Sequence, residues 1–210
     1  MPASANEITD ATIVEVIELS RLLGEYGEIK RKTRLPGGDW EPDSHHSFNL
    51  ALVAYDLANK FAPELDRERI LIFCLVHDLP ELITGDEATL ISTSEKLKQK
   101  ELRDAASLPE ILARLKLYPS LVAALEQYEA SDTEEAKFVY WLDKMITIPT
   151  HFYDDGATLR EFGIKNRPDI QAWYARVLEK LERRAGQPHL VASEVLRLAY
   201  QKMHDELLED

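Results

Sequence analysis

The stretch CLVHDLPELITGDE, residues 74–87, opens as the apolar face of a helix and then gathers one histidine and four carboxylates between His77 and Glu87. Pro80 lies inside the helical pattern and removes a backbone donor, so the straight part of this helix is expected to end at His77 and Asp78. Burying an imidazole or a carboxylate without a partner is costly, so these side chains need a hydrogen bond, an ion pair or a metal. The question is whether the cluster only caps a helix or holds an ion.

Outward from this stretch, apolar residues recur at helical spacing nearly throughout, and no run alternates as a half-buried strand would. An all-α fold is expected. Upstream, DATIVEVIELSRLLGEYG (10–27) reads as a helix with Asp10 as N-cap and Ile13, Val16, Ile17 and Leu19 turned inward. KRKTRLPGGDWEPDS (30–44) reads as a loop marked by Pro36, Gly37, Gly38 and Pro42, carrying local positive charge in an acidic chain. A helix follows, started by Asp43 or Ser44 and buried through Leu50, Val53, Ala54 and Leu57. The helix over 66–83 has the widest apolar face and should be central. Residues 92–131 read as two or three shorter helices broken near Pro109 and Pro119. Residues 133–148 form a strongly apolar helix around a lone acid, Asp143, and two amphipathic helices, about 168–185 and 190–208, complete the tail.

The chain has 210 residues, which bounds it between one large and two small domains; with no Gly/Ser- or Pro-rich linker, one domain is expected. A net charge of −13 argues against a general nucleic-acid or membrane-surface binder, since both need a basic face. A small phosphorylated ligand is still compatible, because an ion and a few local cations can reverse the sign within one pocket. The single cysteine, Cys74, excludes an internal disulfide and any multi-cysteine zinc site. The first twenty residues lack a basic segment and a sustained apolar run, and no run of about 18 apolar residues occurs, so neither a signal peptide nor a transmembrane helix is expected. A cytoplasmic protein is the simplest reading.

Three places are odd for a helical core: His46 at the start of its helix, the pair His77–Asp78, and Asp143 within VYWLDKMI. Each has a bland explanation taken singly. Asp143 can pair with the adjacent Lys144, and His46 can help to cap its helix beside Ser44. Together, two imidazoles and two carboxylates make an N/O donor set suited to a borderline or hard divalent ion.

The order of these motifs resembles the HD-domain phosphohydrolase superfamily, whose metal motif is H…HD…D on an all-helical scaffold, and within it the bacterial 5′-deoxynucleotidase branch. That branch reads approximately E-x-x-A-E-H-S, then H-D-x-x-E-x-x-x-G-D, then A-K-x-x-x-x-x-D-K. Here the first is Glu41-Pro-Asp-Ser-His45-His46-Ser47, the second runs from His77-Asp78 through Glu81 to Gly85-Asp86, and the third from Ala136-Lys137 to Asp143-Lys144. The resemblance covers about 31–144. His45 stands where the family commonly has Glu, which makes it a neighbour of the ion or a neutral replacement, and the register of the motif favours His46 over it as ligand.

The resemblance implies an all-α, single-domain HD-type helical bundle over 1–210, with a metal-binding core at about 31–150. The helices at 168–208 would pack on that core or form a homodimer face. It implies that His46, His77, Asp78 and Asp143 hold one divalent ion (Co, Mn, Mg, Fe or Zn). Glu81 would move a proton, Asp86 would act in catalysis or on the sugar, and Arg31 or Arg34 would bind the substrate phosphate, with Trp40 stacking on a base or shielding the site. A guanidinium suits that task because it forks onto two phosphate oxygens. The implied activity is hydrolysis of a nucleotide phosphate ester, a deoxyribonucleoside 5′-monophosphate above all. The alternatives are a dNTP triphosphohydrolase with the same ligands and a metal-stabilised binding module without catalysis; a ppGpp hydrolase fits less well, for want of a larger arginine-rich pocket.

Overall fold

A computed structural model of the chain describes residues 8–86 and 94–208, with side chains at 99, 102 and 103 only over 94–105. Glu87, the last carboxylate of the opening stretch, lies outside the described residues.

Helix α1 (Asp10–Glu28) leads into a hairpin of β1 (Lys30–Arg34) and β2 (Trp40–Pro42), followed by α2 (Asp43–Phe61), α3 (Arg67–Val76) and the single turn α4 (Glu81–Thr84). Then come α5 (Ser94–Arg114), α6 (Pro119–Ala130), α7 (Glu134–Ile146), a short 3-10 helix (Pro149–Phe152), α8 (Ala157–Glu161), α9 (Arg167–Ala185) and α10 (Leu190–Glu206). The all-α expectation holds, with the hairpin as its one departure among the described residues. β1 and β2 are antiparallel, pairing Lys30 with Pro42 and Arg34 with Trp40. The strands were hidden because the ribbon is short and charged, and the residues it turns inward, Arg31, Thr33 and Glu41, are polar or charged. Gly38 closes its turn at φ +90°, a conformation glycine adopts without penalty.

α7 is the axis of the molecule. Thr133 caps it by accepting the Ala136 N–H at 3.2 Å, and from Phe138 to Asp143 every residue is buried. α3 packs between α2 and α7, while α9 and α10 lay Ile170, Trp173, Leu181, Leu196 and Met203 into the same core. Both C-terminal helices thus bury apolar residues inside the chain, while Leu190 and Leu198 of α10 stay exposed. A second cluster, built on Leu22, Tyr26, Val76, Leu79, Ile111, Leu115 and Leu125, joins α1 to α5 and α6.

Three expectations are corrected. Thr9, not Asp10, caps α1, and Ile13, Val16 and Ile17 are about half exposed; the buried residues of this helix are Leu22 and Tyr26. α1 is apolar on nearly every side in its first half, so periodicity could not choose the inward face. α5 runs through Pro109 without a break, because the proline sits on the exposed side while Leu108, Ile111, Leu112 and Leu115 hold the helix against the second cluster. Pro119 does mark a boundary, at the first position of α6, where its missing N–H leaves no bond unmade.

Candidate metal centre

α3 ends at Val76 with His77 as its C-cap, and the turn through Leu79 and Pro80 restarts the backbone as α4 at Glu81. Asp78 lies in that turn and Glu81 at the start of α4, and both acids face the cluster. α2 brings His46 from the opposite side, and α7 brings Asp143 from beneath. One donor atom from each of His46, His77, Asp78 and Asp143 lies within 4.8 Å of all the others.

The details fit a divalent ion. His77 Nδ1 faces the Cys74 carbonyl at 2.9 Å; an N–H donated there leaves the Nε2 lone pair directed into the cluster. That Nε2 is buried and makes no well-directed hydrogen bond, although the Asp78 carboxylate is 3.0 Å away and Asp143 3.7 Å. His46 Nε2 meets Asp143 Oδ1 at 2.9 Å, and the other oxygen of Asp143 accepts from Lys144. His45, the neighbour, points outward and meets Glu41 at 3.1 Å, while the other Glu41 oxygen accepts from Thr33 at 2.6 Å. His46, rather than His45, is the imidazole in the cluster.

Charge tells the same story. Burial alone would lower His77, yet Asp78 and Asp143 push it up to about 10. The pocket is negative enough to draw in a cation. Against the cost of burial, Lys144 and the two imidazoles hold Asp143 well below the usual carboxylate range, and His77 and Arg31 do the same for Asp78. Burial and then Arg31 lower His46, which favours the neutral form a ligand needs.

Arg31 comes in from β1. Its Nη1 donates to Asp78 at 2.7 Å and to Asp43 at 3.0 Å. Asp43, Glu81 and Asp86 offer a second set of carboxylate oxygens within 4.8 Å of one another. Burial and the Asp78 charge raise Glu81 well above its ordinary value and raise Asp43 to about 6. The shift favours the protonated carboxyl, the form that can donate a proton.

Arg34 and Trp40 sit together elsewhere on the hairpin. The Arg34 guanidinium carbon lies 3.8 Å from the Trp40 ring centroid, and its nitrogens reach the Gly38 carbonyl at 2.9 Å and Glu161 at 3.2 Å. Phe162 is 6.4 Å from Trp40. Of the two arginines considered, Arg31 is the one bonded to the cluster. Asp43 was missed as a site residue because an acid at the first position of a helix reads as a cap. Its spacing of three from His46 was the signal, since that places both on one face.

Residues 24–184 match the family model described as "HD domain". Among curated proteins, the chain is 30% identical over 134 residues to mouse "5'-deoxynucleotidase HDDC2", covering 60% of this chain and 64% of that protein. It is 26% identical over 143 residues to the Danio rerio protein of the same name, covering 67% and 70%. It is 35% identical over 89 residues to "5'-deoxynucleotidase YfbR" of Salmonella newport, covering 34% and 45%. The chain thus spans slightly under two thirds of the mouse relative. A solved structure described as a predicted metal-dependent phosphohydrolase of Magnetospirillum magnetotacticum MS-1 superposes with a TM-score of 0.65 at 22% identity, over 94% of this chain and 98% of that one.

Proposed function

The chain belongs to the HD-domain family, and from that premise we propose that it hydrolyses deoxyribonucleoside 5′-monophosphates to deoxynucleoside and phosphate. The observation that carries this reading is the convergence of His46, His77, Asp78 and Asp143 on one point, beside a guanidinium and a second set of carboxylates. The names of the HDDC2 and YfbR relatives support the substrate class.

A bound divalent ion supplies a polarised phosphate oxygen and a more acidic water. Arg31 neutralises and orients the phosphate. Water adds to phosphorus as the P–O5′ bond breaks; Glu81 delivers its proton to the departing O5′ oxygen and regains one from the water, so that hydrogen phosphate leaves. Asp86 contacts the sugar. Arg34 and Trp40, stacked on the hairpin, form the surface against which a base would rest. The protein works in the cytoplasm, where its one cysteine stays reduced. Among the described residues no helix is long and apolar enough to cross a membrane. A homodimer would use the exposed Phe48, Leu52 and Tyr55 of α2 or the exposed Leu190 and Leu198 of α10.

The test is a panel of 5′-mono- and triphosphates with Mn, Co, Mg, Fe and Zn. Orthophosphate released from monophosphates is expected; tripolyphosphate from dNTPs would move the reading to a triphosphohydrolase. Glu81→Gln should lower turnover by about 10²–10⁴-fold while the protein keeps its ion. An unchanged rate would point to a binding module instead.

A further inference from the structure

The carboxylate of Asp43 is fully buried, and nothing in the proposed reaction uses it. It opens α2 but does not serve as the cap, which is Pro42. Its backbone N–H is held by the Ile29 carbonyl at 3.1 Å, so the residue is fixed to the base of the hairpin that carries Arg31. Its Oδ1 accepts from Arg31 Nη1 at 3.0 Å.

A fourth acid beside Asp78, Glu81 and Asp86 adds repulsion and a desolvation cost, so its retention calls for a task. Arg31 already has Asp78 as a partner at 2.7 Å, but that same carboxylate lies 3.0 Å from His77 Nε2 and belongs to the metal cluster. An arginine held by Asp78 alone would compete with the ion for its anchor. Asp43 provides a hold on Arg31 outside the four-residue set. Both carboxylates are reached through Nη1, which leaves the Nη2 edge of the fork for a phosphate oxygen.

We propose that Asp43 is a positioning residue that fixes the Arg31 guanidinium for the substrate phosphate. The inference rests on the reading of Arg31 as the phosphate-binding group. It concerns binding geometry, so it can be measured without turnover.

The experiment is a double-mutant cycle on Asp43→Ala and Arg31→Met, reading the affinity of the Mn-loaded full chain for inorganic phosphate by calorimetry, together with bound Mn per chain. Asp43→Ala is expected to weaken phosphate about tenfold, in line with one lost charge-assisted hydrogen bond. It should raise KM more than it lowers kcat on a monophosphate. Arg31→Met should weaken phosphate at least as much, and adding Asp43→Ala to it should change nothing further. Asp43→Asn, which keeps an oxygen for Arg31, should restore part of the loss and serves if the alanine variant does not fold. Additive losses in the double variant would overturn the proposal, as would loss of a bound Mn in Asp43→Ala, which would make Asp43 a cation ligand. An Arg31→Met variant with wild-type phosphate affinity would overturn it together with the role of Arg31. Absence of turnover on every nucleotide, with the phosphate cycle behaving as expected, would remove the assigned substrate and leave the positioning role standing.

Discussion

Lys144 shows how a residue with an ordinary explanation acquires a second one. The adjacent Asp143–Lys144 pair reads in sequence as a local ion pair, and the structure confirms the pair but divides the carboxylate: one oxygen to Lys144, the other toward His46 and His77. Lys144 therefore holds Asp143 from behind, the place that outer partners take at metal centres. Lys144→Met should weaken Mn binding by about 10–100-fold in equilibrium dialysis while the helix content stays the same. An unaltered affinity would show that packing alone aims Asp143. His151 behaves differently, for it lies buried in the short 3-10 helix and away from the cluster. Burial, opposed in part by Asp154, lowers its pKa to about 4 from an ordinary value near 6.5. The folded chain thus binds this proton less readily than the unfolded chain. The stability it contributes is present above about pH 6.5 and is lost as pH falls toward 4, on the order of 3 kcal/mol in all. His151→Phe should flatten that part of the stability profile, as read by urea midpoints between pH 4 and 7; an identical slope in variant and parent would refute the assignment.

At the scale of the element, the decisive piece is the segment joining α3 to α4. Proline chemistry was enough to predict that the helix stops at His77 and Asp78, because a missing N–H is a local fact. What the break does to Glu81 was not legible, since the answer depends on the backbone after Pro80. The turn directs Glu81 inward with the side chain buried beside Asp43 and Asp78. Gly85 then carries the chain out at φ 69°, ψ 161°, a region essentially reserved for glycine. A Cβ there meets nothing within 4 Å, so the cost of Gly85→Ala comes from the backbone alone. It should destabilise by about 1–3 kcal/mol and lower kcat by shifting Asp86. Thermal melts and initial rates would check both; a variant with full stability and rate would mean that the turn tolerates another conformation. The hairpin and the first half of α1 were illegible for opposite reasons. One has too few apolar residues to show an alternation, and the other has so many that no single face stands out.

For the whole molecule, the four clustered side chains come from α2, the end of α3 and α7, which are distant in sequence: His46 and Asp143 are 97 positions apart. Motif order made the convergence of these four residues readable without knowledge of the packing, because each residue type at its place is unusual for a core. The support for the set was not readable. Glu41 and Asp43 look like surface or capping charges until α2 and the hairpin are brought together. The same long-range geometry has a thermodynamic consequence. An ion bound by α2, the end of α3 and α7 has no preformed site in the unfolded chain, so its binding free energy adds to folding stability. At an ion concentration about a thousand times its dissociation constant, the gain is about 4 kcal/mol. For a chain of this size that corresponds to a rise in Tm of about 10 °C. Calorimetric scans with Mn and with a chelator should show this difference in the parent protein. Asp143→Asn, which keeps the shape of the side chain but removes a charged ligand, should lose most of it. If parent and variant respond to Mn by the same amount, the ion binds elsewhere, and the cluster of His46, His77, Asp78 and Asp143 is not what joins these helices through a metal.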